Sequence, residues 1–138
     1  INEAAAERVQ SWVDDAVRSG AKVITGGTRS RATIPPTIVT GVPDSGRLSC
    51  DEVFGPVVVV HTYRDLDDAI ARTNAGPYGL QAGIFTRDIE RAFRAARALR
   101  YGGVLINDVP MFRADHMPYG GVKESGTGRE GPKYAVEE

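Results

Sequence analysis

The stretch Asp51-Glu52-Val53-Phe54-Gly55-Pro56-Val57-Val58-Val59-Val60 decides how this chain is read. Four consecutive valines are the pattern of a strand buried on both faces, as strands of parallel sheets are. Gly55-Pro56 makes the turn into that strand. Glu52 and Phe54, held just ahead of it, are placed to meet a ligand at the edge of the sheet.

Working outward, residues 57–62 predict a strand and Asp65 an N-cap. Leu66, Ala69, Ile70 and Thr73 then recur at helical spacing until Gly76-Pro77 breaks the run. Residues 81–85 predict the next strand. In the helix that follows, Ile89, Ala92, Phe93, Ala96 and Leu99 are expected to share one face. Gly102-Gly103 ends that helix, and Val104-Leu105-Ile106 is a further strand. Strand, helix, strand, helix, strand with short breaks defines an α/β fold: a parallel βαβαβ sheet with flanking helices and right-handed crossovers. Upstream, Asn2 and Glu3 open a helix whose apolar stripe is Val9, Val13, Ala16 and Val17, and Gly20 stops it. Residues 21–24 predict a short strand ending at Gly26-Gly27. Residues 33–42 are β-rich but contain Pro35-Pro36, which suits an edge excursion more than a central strand. From Asp108 the chain is Gly- and Pro-rich loop until a helix near Pro132.

The 138 residues suffice for one domain with a real core. A quarter of them are charged, yet the net charge is only -1, which argues against a polyanion binder or a membrane-surface protein. No apolar run reaches membrane-spanning length, and no signal-peptide layout opens the chain. A single cysteine, Cys50, cannot form an intrachain disulfide, so a reducing, cytoplasmic setting is expected. The chain opens at Ile1 inside a helix signal and stops at Glu137-Glu138 in another. A piece of a larger protein is therefore expected.

Several motifs invite sharper readings. Gly126-Thr127-Gly128-Arg129-Glu130-Gly131 matches the dinucleotide fingerprint in letters, but that motif needs a buried strand before it. Residues 121–125 are read as no strand, and no acidic residue follows at ribose distance. Cys50 as a nucleophile needs a cation, a helix N-terminus or a paired histidine. Its neighbour Asp51 disfavours a thiolate, so an incidental cysteine is the preferred reading. A Cys50 thiol hydrolase would need His61 or His116 within hydrogen-bond reach. Two isolated histidines and one cysteine have no metal-ligand spacing. Arg87, Arg91, Arg94, Arg97 and Arg100 form a basic stripe, but Asp88 and Glu90 lie within it, and a solvated helix face is expected rather than a nucleic-acid surface. The loop holding Met111, Phe112, Arg113, His116, Met117 and Tyr119 has the composition of a pocket, or else of a partner-facing or packing loop.

Taken together, these segments resemble the aldehyde dehydrogenase superfamily, in the C-terminal part of its catalytic domain, over nearly the whole chain. Gly20-Ala21-Lys22 through Gly26-Gly27 looks like the "GAKVLxGG" segment, Pro36-Thr37-Ile38 like "PTIL", and residues 52–57 like "EIFGPV". Asn74, Tyr78-Gly79-Leu80, Gly103 with Asn107, residues 118–126 and Gly128-Arg129-Glu130 follow in family order. The resemblance implies that Glu52 hydrogen-bonds the nicotinamide ribose of NAD or NADP and that Phe54 packs by its ring. It implies that Tyr119 walls the substrate pocket, and that residues 126–131 are structural there. It further implies that no catalytic residue lies in these 138 residues, because the family's cysteine nucleophile, general-base glutamate and oxyanion asparagine precede the "GAKV" segment. The isolated chain is accordingly expected not to turn over. The loop at residues 111–116 looks most like branches acting on small polar aldehydes such as lactaldehyde, glyceraldehyde-3-phosphate or phosphonoacetaldehyde. On that resemblance Phe112 is expected to line the pocket and Arg113 to anchor an anion. A homo-oligomer without nucleic-acid or membrane partners is implied. The rival reading is a non-catalytic α/β interaction or assembly module.

Overall fold

The computed structural model describes residues 2–137, so the helical character expected at Ile1 and Glu138 lies outside the described residues. The chain divides into two compact units, residues 1–62 and 63–138.

The first unit opens with helix α1, Glu3–Arg18. The Asn2 side chain accepts from the Ala5 amide at 2.9 Å and caps it. Ala6, Val9, Val13 and Ala16 form its buried stripe, while Val17, expected in that stripe, is exposed. Strands β1 (Lys22–Thr25), β2 (Thr37–Thr40) and β3 (Val57–Val60) make a sheet in the order β1-β2-β3, with the short helix α2 (Arg47–Cys50) between β2 and β3. β1 pairs antiparallel with β2, and β2 pairs parallel with β3 in the register Thr37↔Val57 to Thr40↔Val60.

This corrects the edge expectation for residues 33–42. Pro35-Pro36 lies before the strand rather than in it, so no ladder amide is lost and β2 is central. The buried Thr37 is satisfied locally: its hydroxyl donates to the Pro35 carbonyl at 2.8 Å and accepts from the Gly27 amide at 3.0 Å. The valine run is corrected as well. Val57 and Val59 are half-buried and pack on the core of Val13, Ala16, Ala21, Val39, Val42 and Leu48, whereas Val58 and Val60 are exposed. The strand thus buries one face within these residues and leaves the other exposed.

The second unit alternates α3 (Leu66–Ala75), β4 (Tyr78–Gly79), β5 (Gln81–Ile84), α4 (Ile89–Ala98), β6 (Gly103–Ile106), β7 (Val122–Lys123) and α5 (Tyr134–Glu137). β5 and β6 pair parallel across α4, from Gln81↔Gly103 to Ile84↔Ile106. The α/β class with parallel pairing is therefore realised in two ladders, β2 with β3 and β5 with β6. Asp65 and Asp88 cap α3 and α4 through the amides of Asp68 and of Glu90 and Arg91. The inward residues of α4 are Ala92 and Ala95, and Ile89 and Phe93 are exposed, contrary to the stripe expected from spacing. Small side chains let this helix pack closely and leave its larger apolar groups outward. Residues 121–125, read as no strand, contain β7, which pairs antiparallel with β4.

Two side chains tie the unit together. Asn74 donates to the Ala98 carbonyl at 2.8 Å and accepts from the Arg100 amide at 2.8 Å. The Lys123 ammonium donates to the carbonyls of Asn74, Gly76 and Tyr78 at 3.0, 2.9 and 3.3 Å, collecting acceptors at the end of α3. It also lies 5.3 Å from the centre of the Tyr101 ring, whose hydroxyl donates to Thr73 at 3.1 Å.

Burial raises the Tyr101 phenol above its ordinary range because the phenolate is desolvated. The unfolded phenol therefore ionises first as pH climbs, and the folded state binds more protons. Stability is expected to be fully present below about pH 10 and to fall above it, where unfolded tyrosine titrates. Urea denaturation across that range should show a shallower alkaline loss in Tyr101→Phe than in the parent protein. Identical slopes would contradict it.

Candidate functional site

The turn between α2 and β3 is set from both ends. Cys50 closes α2, and the Asp51 amide returns to the Arg47 carbonyl at 2.8 Å. From Glu52 to Val60 exposure alternates strictly, with odd residues half-buried and even residues exposed. Val53 packs against the core, and its carbonyl accepts from Nη2 of Arg8 at 2.8 Å. A Cβ on Gly55 would lie 2.9 Å from a methyl of Val9, which is itself 1% exposed, so glycine is what lets the turn seat on α1. The Pro56 carbonyl accepts from the Thr37 amide at 2.8 Å and hands the chain to β3.

The residues between these anchors point outward. Glu52 is exposed and makes no hydrogen bond or ion pair among the described residues. Phe54 is 72% exposed and held at φ +47°, a left-handed conformation uncommon for a bulky residue and a mark of local constraint. It borders a cavity of ≈ 240 Å³ together with Ala6, Val9, Ile34 and Pro56. A free carboxylate and a projecting aromatic ring two residues apart suit a ligand that offers hydroxyls beside a flat ring.

In the second unit the expected pocket residues partly converge. The Arg113 guanidinium lies 4.4 Å from the centre of the Tyr119 ring and donates to Glu130 Oε2 at 2.8 Å. Glu130 is held there by backbone bonds in both directions with Tyr119, at 3.0 and 2.6 Å. A Cβ on Gly102 would collide with the Gly120 carbonyl, and this close approach fixes the chain just after Tyr119. Phe112 is 46% exposed, and its carbonyl accepts from the Gln81 side chain at 3.3 Å. It is not among the groups that Arg113 gathers.

The remaining candidates resolve as follows. The Cys50 thiol donates to the Asp44 carbonyl at 2.9 Å, while the His61 ring lies 3.4 Å from the Ser49 hydroxyl. Among the described residues no group of three His, Cys, Asp or Glu could hold a metal, and no helix is long and apolar enough to cross a membrane. Arg91 and Arg94 pair with Asp88 and Asp67, and Arg97 lies over Phe93, so the basic stripe is largely internally engaged. In the letter match at 126–131, β7 precedes the glycines with its two residues paired to β4. The Arg129 side chain takes the carbonyls of Gly121 and Gly128 at 3.0 and 2.7 Å, bracing the loop on itself.

Comparison with known proteins places the whole in context. Residues 1–138 match the Aldehyde dehydrogenase family, and the chain belongs to it. It is 52% identical over 133 residues to 3-sulfolactaldehyde dehydrogenase of Priestia aryabhattai, covering 96% of this chain and 28% of that protein. Its fold superposes on aldehyde dehydrogenase 21 of Physcomitrella patens in complex with succinate, with a TM-score of 0.95 and 46% identity, over 99% of this chain and 28% of that one. It likewise superposes on the glyceraldehyde-3-phosphate dehydrogenase GapN of Methanocaldococcus jannaschii complexed with NADP, with a TM-score of 0.91 and 42% identity, over 99% and 29%. The chain thus spans less than a third of the length of the proteins it matches.

Arg8, 45 residues from the carbonyl it binds, carries no expected role in the sequence reading, and Glu130, 17 residues from Arg113, carries only the structural role of residues 126–131. No local pattern announces either pairing. The Arg113–Glu130 bridge is half-exposed, at 47% and 66%. A double-mutant cycle on stability should accordingly return about 0.2–1 kcal/mol of coupling, shrinking in high salt. A larger, salt-insensitive coupling would mean the pair is desolvated in the complete enzyme.

Proposed function

We propose that this chain is the C-terminal part of the catalytic domain of an NAD- or NADP-dependent aldehyde dehydrogenase. In this reading Glu52 and Phe54 contact the cofactor, and Tyr119, Arg113 and Phe112 line the substrate pocket. The observation that carries it is the turn itself: a carboxylate without a partner among the described residues and a constrained, outward phenyl ring on a segment anchored at Val53 and Gly55. The carboxylate can accept from both hydroxyls of a ribose, and the ring can wall a nicotinamide. When bound, that nicotinamide supplies the hydride acceptor. Neither residue marks the phosphate that separates NADP from NAD, so this turn suits either nucleotide.

The chemistry belongs to groups outside these 138 residues. A cysteine thiolate adds to the aldehyde carbon, and the resulting thiohemiacetal loses hydride to become a thioester. Water, deprotonated by a glutamate, then releases the carboxylate and returns the thiolate. The isolated chain holds neither group and is expected to be inactive. The contribution of this piece is to hold the hydride acceptor and one wall of the pocket. The substrate class is a small polar aldehyde bearing an anion. The names of 3-sulfolactaldehyde dehydrogenase and of a glyceraldehyde-3-phosphate dehydrogenase support that, as does Arg113 in a pocket-like loop. A homo-oligomer in the cytoplasm is the setting this reading carries.

Two substitutions in the complete enzyme test the halves separately. Glu52→Gln should raise the Kd of the nucleotide about tenfold, as loss of a charged acceptor does. Arg113→Met should raise KM for an anionic aldehyde by a similar factor and leave a neutral one of equal size unaffected. Unchanged nucleotide binding in the first, or equal effects on both aldehydes in the second, would remove the corresponding assignment.

A further inference from the structure

Among the polar contacts of the first unit, one joins the long opening helix to the middle of the Glu52–Phe54 turn. Nη2 of Arg8 donates to the Val53 carbonyl at 2.8 Å, across 45 residues of sequence. Hydrogen bonds on either side hold the neighbouring backbone: Asp51 to Arg47, Val57 to Gly55, and Thr37 to Pro56. For residues 52–54, the Arg8 bond is the one hydrogen bond recorded among the described residues. It falls on the residue flanked by both candidate cofactor contacts.

Arg8 is itself fixed. Its guanidinium lies 4.8 Å from the centre of the Trp12 ring, one helical turn on, and Trp12 packs against the buried core. The Arg47 guanidinium approaches the same ring at 5.9 Å, from the helix that leads into the turn. A planar cation stacked on an anchored indole has few orientations left, so its remaining N–H groups are aimed rather than merely near. Val53 separates two outward residues, and rotating its peptide would disturb the alternation that turns Glu52 and Phe54 to solvent.

We propose that Arg8 is the positioning residue of the cofactor-contacting turn: stacked on Trp12, it holds the Val53 carbonyl and thereby sets the direction of Glu52 and Phe54. This rests on the assignment of those two residues to the nicotinamide riboside half of NAD or NADP. In this role Arg8 acts through the turn.

The test is nucleotide binding to the complete enzyme carrying Arg8→Met, Arg8→Gln or Arg8→Lys. Two probes are titrated by calorimetry: the oxidised nicotinamide nucleotide that the enzyme reduces, and ADP, which lacks the nicotinamide riboside. The Met and Gln variants should bind the nicotinamide nucleotide about tenfold more weakly, the scale of a lost charged hydrogen bond, and ADP as the parent does. Lys, which can still reach a carbonyl, should recover part of the loss. KM for the aldehyde at saturating nucleotide should not move. Should Met fail to accumulate as folded enzyme, Gln provides the same comparison. Equal weakening of both probes assigns Arg8 to general stability and overturns the proposal, as does unchanged binding of both. Glu52→Gln, run in parallel, separates the levels. If it too leaves nicotinamide nucleotide binding unchanged, the turn is not the cofactor contact at all. If it weakens binding while the Arg8 variants do not, only the positioning role falls.

Discussion

The seating of Gly55 on Val9 is the contact on which the rest of the first unit turns. Val9 is almost wholly buried in the middle of the α1 stripe, and burial of such a side chain contributes about 1.5–3 kcal/mol. A residue with a Cβ at position 55 would intrude on it, so the turn can approach α1 only as glycine. That approach establishes which residues of the following strand face inward. With Gly55 against the helix, Val57 and Val59 follow onto the same core, and the parallel register with β2 carries the phase to Val60. Upstream, the same phase buries Val53 and leaves Glu52 and Phe54 in solvent. One steric requirement thus orders both a packing face and a candidate ligand-contacting pair.

Much of this was legible in the residues. Gly-Pro before an apolar run marks a strand entry, caps at Asn2 and Asp65 mark helix starts, and each is realised. Phase was not legible in the valine run, because four identical residues carry no polar marker to say which pair faces water. Only the tertiary contact at Gly55 distinguishes them. The central place of β2 was hidden by Pro35-Pro36, since prolines that precede a strand and prolines that interrupt it look alike until the register is known. In α4 the spacing of Ile89 and Phe93 suggested a core stripe. Alanines at 92 and 95 were the inward residues, and helical spacing alone does not say whether size or closeness will govern packing.

The candidate site divides along the same line. Glu52 and Phe54 could be nominated because they lie just ahead of a turn signal, and the structure leaves the first without a partner among the described residues and the second in a constrained backbone. Arg113 and Tyr119 were both nominated, but their stacking and the carboxylate that joins them were not. The ring beneath Arg113 and the carboxylate beside it come from loop segments joined by a backbone bridge between Tyr119 and Glu130, which no local periodicity encodes. Arg8 was invisible for a simpler reason. On a helical wheel it reads as one more charge beside the stripe, and its acceptor is a main-chain carbonyl, which every residue has.

The Arg113 arrangement bears on how such a pocket would choose its ligand. A guanidinium already paired with a carboxylate is partly neutralised, and an incoming anion must compete with Glu130 or share the remaining N–H groups. Stacking on Tyr119 holds the cation in place whichever partner it takes, because the ring contacts its face and the hydrogen bonds leave through its edge. The exposed pair contributes little to folding, so exchanging one carboxylate for another anion costs little. A loop built this way keeps its charge satisfied when empty and, in the proposed reading, leaves the arginine able to take a small anion. That combination depends on the ion pair being half-exposed; a fully buried one would hold the arginine too firmly to be shared.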